Sequence, residues 1–311
     1  MPAAPLRALR RVELYGYPIT VEGAYTPRQW TLLAGNREPR GGAPALLHAI
    51  LENPPHAPLP KPLPGRLIVG DEFTLDCTDR VLRCRLPASG SSERRRLNDA
   101  RESLCRHALF ALGLLAERLG PRAVSTPGMG RRVLLNLHAS SVLGRGGALV
   151  FCGRSGFGKT TLATQLLSGA PQIEYDLTQI LLDPSGREPP RVIRIAPYLK
   201  RSFAGTARDM PRAASRNRVR ASAQELAHSA APPLAGLFWL QQAPSCALEP
   251  LPAADAAAYL LPPLHFASEL RAVGRRLSLL RALLKQSACR RFRFPKSKAK
   301  VERFLKDAGY L

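Results

Sequence analysis

The rhythm of apolar and polar positions changes twice along this chain. Up to about residue 90 the apolar residues come in short or alternating runs, cut by Gly and Pro. Val12-Glu-Leu-Tyr-Gly, Leu67-Ile-Val-Gly, Phe73-Thr-Leu-Asp-Cys and Val81-Leu-Arg-Cys-Arg-Leu each suit a short strand. The stretch from Asn53 to Gly65 holds too much proline for a helix and reads as a loop of polyproline character. A helical period then takes over. Leu97, Ala100, Leu104, Ala108, Ala111 and Leu115 recur every three or four residues, Leu112 and Leu119 widen the stripe, and Gly120-Pro121 stops it.

After about residue 130 strands and helices alternate. Val133 to Val142 and Ala148 to Cys152 read as strands, 159–168 as a helix and 173–182 as a strand. Leu234-Ala-Gly-Leu-Phe-Trp-Leu has the look of a buried strand. Helices are expected at 253–261, 266–286 and 297–308, with Arg290-Arg-Phe-Arg-Phe as an alternating strand before the last. This order predicts an α/β domain. The expected organisation is a small β-rich domain at 1–90, a helical connector at 91–130 and the α/β domain at 131–311.

Composition narrows the classes. The chain has 311 residues, 45% of them hydrophobic, which is enough for a core without metal or disulfide staples. Its 24 Gly and 29 Pro follow no period, so it is not collagen-like. No apolar run approaches a membrane span. The beginning reaches Arg7 and Arg10 before any apolar core builds, which makes a poor secretory signal. Its six cysteines form no tight cluster and read as free thiols of a reducing cytoplasm. Charge is the odd feature: 46 basic residues against 23 acidic give +23, a field that attracts phosphates, acidic peptides, nucleic acid or anionic surfaces.

One motif chooses among these. Gly153-Arg154-Ser155-Gly156-Phe157-Gly158-Lys159-Thr160-Thr161 fits the phosphate-binding pattern G-x-x-x-x-G-K-[ST], with an apolar strand leading in and an amphipathic segment leading out. Glycines let backbone N–H groups curl round a phosphate, and the helix start adds positive potential. Lys159 then reaches the β- and γ-phosphates, and Thr160 ligates Mg²⁺. ATP is the expected nucleotide, since no guanine-reading segment is visible. Downstream, Glu174 and Asp176 lie two apart on one face if their segment is a strand. Asp176 is the candidate for binding Mg²⁺ or taking an acceptor's proton, and Glu174 stands second. Asp183, in Leu182-Asp-Pro-Ser-Gly, reads as a turn residue. His138, lone in an apolar strand, reads by itself as a hydrogen-bonded core residue.

Three blocks together resemble the C-terminal domain of HPr serine kinases, within the wider phosphoenolpyruvate carboxykinase-like P-loop fold. The first is Leu137-His-Ala-Ser-Ser-Val followed by Gly146-Gly-Ala-Leu-Val-Phe-Cys and the phosphate loop. The second is the segment ending Tyr175-Asp176, and the third is Cys289-Arg-Arg-Phe-Arg-Phe-Pro-Lys. The likeness covers roughly 130–308 and is strongest to HPr-kinase-related proteins of peptide-biosynthesis gene clusters. It implies ATP and Mg²⁺ as cofactors, with Lys159 and Thr160 handling both, Asp176 as the surviving carboxylate of an Asp-Asp pair, and His138 as the active-site histidine. Tyr175 stands where the family has the first aspartate. Glu174 compensates, or the roles are divided differently, or catalysis is impaired.

The expected function is transfer of phosphate from ATP to a hydroxyl, with serine in an acidic or Ser-containing peptide or protein as the favoured acceptor. A nucleotide-binding regulatory or assembly module with little catalysis is the second reading. A kinase or ATPase acting on nucleic acid or a small molecule is the third, nucleic acid being the less favoured partner. Oligomeric state is left open. The charge concentrates at 200–220 and 290–306, which carry seven basic residues against Asp209 and eight against Glu302. The sharper expectation makes 200–220 a lid over an acidic peptide or the triphosphate. The plainer one makes both segments solvated faces.

Overall fold

The computed structural model describes residues 7–14, 16–25, 44–52, 66–69, 73–85, 93–125, 131–167, 170, 172–174, 177–193, 231–261 and 270–311. The chain forms two compact units, Met1–Leu135 with His265–Arg275, and Asn136–Leu264 with Arg276–Leu311. Both are mixed α/β.

In the first unit, β1 (Arg7–Leu14), β2 (Tyr17–Ala24), β3 (Leu47–Glu52), β4 (Leu67–Val69), β5 (Phe73–Asp76) and β6 (Val81–Arg85) form one sheet in the order β1-β2-β3-β6-β5-β4. β1 and β2 make an antiparallel hairpin whose turn needs Gly16 at φ 85°. β3 lies parallel to both β2 and β6. Helix α1 (Glu93–Leu119) packs against β3 and β6. From Ala108 to Ala116 nearly every α1 side chain is buried, so the second half of the helix is wrapped on all sides rather than along one stripe. Gly120, at φ 102°, ends it by donating to the Ala116 carbonyl, and Pro121 starts a short 3₁₀ turn.

The second unit holds the phosphate-loop motif. Its main sheet has the order β10-β8-β9-β13-β15-β14, from β8 (Ala139–Gly144), β9 (Gly147–Cys152), β10 (Gln172–Glu174), β13 (Leu234–Gln242), β14 (Ala247–Pro250) and β15 (Cys289–Phe294). β9, β13 and β15 are parallel neighbours. A three-stranded sheet has the order β12-β11-β7, from β7 (Val133–Leu137), whose last two residues belong here, β11 (Thr178–Leu182) and β12 (Arg191–Val192). The helices are α2 (Lys159–Thr161), α3 (Ala253–Leu260), α4 (Leu270–Gln286), whose last eleven residues belong here, and α5 (Lys298–Asp307).

The core on one face of the main sheet joins Phe151 of β9, Phe238 and Leu240 of β13, and Phe292 and Phe294 of β15. Leu162 and Leu166 after α2, with Val301 and Leu305 of α5, cover them. Phe238 sits at its centre, 5.5 Å from Phe151 and 6.1 Å from Phe292 by ring centroid. The alternation of β15 works as expected from its sequence: Phe292 and Phe294 point into this core while Arg291 and Arg293 take the other face.

Two expected elements turn out divided. The single strand expected over 133–142 is two, because the chain bends at His138 and passes from the β7 sheet to the β8 sheet. The helix expected over 159–168 is one α-turn followed by a π-helical stretch, Leu162–Leu166. There the Thr164 hydroxyl donates to the Thr160 carbonyl at 2.8 Å, and Leu167 N–H reaches back five residues to Leu162. A threonine hydroxyl competing for a helix carbonyl opens the turn in this way. β3 and β14 have no counterpart in the sequence reading. No helix among the described residues is long and apolar enough to cross a membrane.

Candidate functional site

β9 delivers the loop. All six of its residues are buried, and Ala148 N–H is anchored on the Pro233 carbonyl. The strand therefore cannot shift without moving the centre of the sheet. At its carboxyl end the chain leaves as Gly153-Arg154-Ser155-Gly156-Phe157-Gly158 and turns into α2 at Lys159. Two glycines are demanded by backbone shape: Gly156 lies at φ 81° and Gly158 at φ 84°. A side chain at either position costs about 1 kcal/mol or more in this left-handed region. At Gly153 the chain makes a close approach, since an added Cβ there stands 3.3 Å from Phe157 Cβ.

Lys159 is only 5% exposed. Its Nζ donates to the Gly153 carbonyl at 2.9 Å and to the Arg154 carbonyl at 3.1 Å. The ammonium is thus folded into the concavity of its own loop. Among the described residues the N–H groups of Gly156, Gly158 and Thr160 meet no backbone or side-chain acceptor, while that of Phe157 closes a turn on Arg154. A buried cation and unclaimed amides at one mouth suit an anion with several oxygens. A polyphosphate fits this donor set.

Register places the other expected residues. Ala139 of β8 pairs with Cys152 of β9, so His138 stands one step further, beside Gly153, and is exposed. Glu174 of β10 pairs with Ser141 of β8, across a bulge from the Gln172–Val142 pair. The Thr178 hydroxyl donates to the Ala139 carbonyl at 3.1 Å and lies 3.3 Å from Ser141 Oγ, which ties the start of β11 to the same end of β8. Asp176 and Tyr175 lie outside the described residues, as does 200–220. Among the described residues no three His, Cys, Asp or Glu side chains converge on a metal-sized site.

Asp183 is a turn residue, as its sequence context suggests. Its Oδ1 accepts from Ser185 Oγ at 2.6 Å and Ser185 N at 2.9 Å, and these bonds hold its carboxyl below the usual range. Arg191 donates to the Ala231 carbonyl at 2.9 Å. Cys152 adjoins the loop and is buried. Burial pushes its thiol well up, Cys289 adds to this, and Lys159 and Arg276 offset only part.

A second group of residues gathers beside the loop, and sequence reasoning missed it. Cys152, Trp239 and Arg291 stand in one row across β9, β13 and β15. Tyr259 of α3 stacks on Trp239 at 4.8 Å with 13° between the rings. Gln241, Arg154 and Phe157 complete a cavity of about 280 Å³ with Trp239, Tyr259 and Arg291. Gln242, the last residue of β13, points to the other face, its amide against Gly158 of the loop. The sequence signal was the ending of β13: a buried run that closes on two exposed glutamines at the carboxyl end of a parallel strand, where open α/β sheets take their ligands.

No family model matches this chain, and no curated protein matches it.

Proposed function

We propose that the chain is an ATP- and Mg²⁺-dependent phosphotransferase acting on a hydroxyl, with serine of a peptide or protein as acceptor, on a P-loop domain of the HPr-kinase type. The observation that carries the reading is Lys159: a lysine buried in the mouth of a glycine loop, between a central strand and a helix start, with unclaimed amides around it. An ammonium that donates to its own loop's carbonyls exchanges them for phosphate oxygens with little rearrangement.

The chain's residues divide the work. The amides of Gly156, Gly158 and Thr160 fix the phosphates and so the line of transfer. Lys159 stabilises negative charge as it spreads over the transferred group. The Thr160 hydroxyl and the Asp176 carboxylate would hold Mg²⁺, which when bound neutralises phosphate charge. Asp176, or Glu174 in its place, orients the acceptor hydroxyl or takes its proton. His138 stands on the β8 side of the same strand end. Purified protein incubated with labelled ATP, Mg²⁺ and a peptide encoded beside its gene should transfer label to serine. A Lys159→Ala variant is expected to lose triphosphate affinity by about a hundredfold, since it removes the buried charged donor of the loop. Unchanged binding in that variant refutes the loop assignment.

Tyr175 favours a second reading, a module that binds nucleotide and transfers little, because tyrosine is not an ordinary Mg²⁺ ligand. Tight ATP binding with no transfer to any neighbouring peptide, and restoration of transfer by Tyr175→Asp, would decide for it.

A further inference from the structure

The cavity beside the loop has no role in the chemistry above. The phosphate loop leaves β9 in the middle of the sheet. His138 and the β10 segment approach it from the β8 flank, the side assigned to the acceptor. The cavity lies on the opposite flank, over β13 and β15. Its wall is a stacked aromatic pair, Trp239 and Tyr259, with Phe157 of the loop itself close by. Two guanidinium groups and one amide supply the polar lining. Of the arginines, Arg291 is held by Glu249, its Nη1 3.7 Å from Oε2. The side-chain amide of Gln241, by contrast, is exposed at the end of β13 and meets no hydrogen-bond partner among the described residues.

We infer that this cavity is the nucleobase subsite of the triphosphate, and that it is built for adenine. The inference rests on the phosphate-loop reading above. A flat aromatic wall is the surface on which a base stacks, and arginine planes add to such stacking. About 280 Å³ accommodates a purine. Arg154 and Phe157 belong both to the loop and to the cavity, so a ligand with its phosphates on the loop has its other end within reach. The amide of Gln241 carries a donor and an acceptor side by side. Adenine offers the matching pair at N6 and N7, whereas guanine offers two acceptors there.

The test compares ATP, GTP and inorganic tripolyphosphate, each with Mg²⁺, by calorimetry on the full chain. A Trp30→Phe background leaves Trp239 as the single tryptophan, so fluorescence reports the cavity directly. ATP is expected to bind about tenfold or more tighter than tripolyphosphate and to quench Trp239. Gln241→Leu should cut the preference for ATP over GTP and leave tripolyphosphate binding unchanged. Tyr259→Ala should weaken ATP and GTP alike. Tripolyphosphate or GTP binding as tightly as ATP overturns the adenine subsite while the loop reading stands. ATP binding that neither quenches Trp239 nor responds to Gln241→Leu also overturns it. If none of the three binds, both the loop reading and the subsite fall.

Discussion

His107 gives the sharpest quantitative prediction for the first unit. It sits in α1, 7% exposed, with Ser103 Oγ 3.1 Å from its Nδ1 and the Phe73 ring 5.3 Å away. Burial, with help from the neighbouring Arg106 charge, holds its pKa down from 6.5 to about 4. The folded ring therefore stays neutral where the unfolded ring takes a proton. Between pH 6.5 and 4 the unfolded state binds more protons, so stability is full above the unfolded value and is lost as pH falls. At about 1.4 kcal/mol per pH unit the loss reaches about 3 kcal/mol by pH 4. Urea unfolding of the whole chain at pH 7 and pH 4, set against a His107→Gln variant, isolates this group, because every other titration is common to both. The wild type should lose about 3 kcal/mol more than the variant over that range. Parallel losses in the two proteins would refute the reasoning. So would a native-state NMR titration of the His107 ring with a midpoint near 6.5.

The second unit offers two further tests. Arg276, 2% exposed, donates to the carbonyls of Leu260, Leu261 and Asn136, each at 3.1 Å. Arg276→Leu strands three acceptors and should cost about 3 kcal/mol or more in denaturant unfolding, and Arg276→Lys, a point donor, should recover less than half. Gly147 opens β9 at φ 137°, and a Cβ there meets the Pro233 carbonyl that also anchors Ala148 N–H. Gly147→Ala should cost about 3 kcal/mol or more and weaken triphosphate binding along with it. Gly309→Ala is its control: φ is 79° but nothing lies within 4 Å, so only about 1–2 kcal/mol should be lost, with binding intact.

The loop was legible because its chemistry is local. Glycines at 153, 156 and 158 and a lysine at 159 can be read at sight. The structure then gives each a reason in a positive φ, a close approach or a buried ammonium. Asp183 was equally legible as an Asx turn, since its partner Ser185 is two residues away. β3 was less so: Leu47–Glu52 is short and flanked by unlike segments, and it is a strand because β2 and β6 lie on either side of it. The break at His138 could not be read at all. An apolar run has the same period whether it stays in one sheet or crosses to another. The π-helical turn after α2 likewise depends on where one threonine hydroxyl points.

The sequence by itself determined the alternation of strands and helices in the second half, the glycine loop between a buried strand and a helix start, and the split of β15 into an apolar and an arginine face. Each depends on neighbours within a few residues, where backbone periodicity fixes which side chains share a face. Tertiary structure alone decided the rest. It made β9, β13 and β15 parallel neighbours, turned Lys159 onto its own loop, buried Arg276 on three carbonyls, and assembled the cavity. The cavity's lining residues lie as far apart as 154, 239, 259 and 291 in the chain. Pattern along a strand says which face a residue takes. Only sheet order and register say what stands beside it.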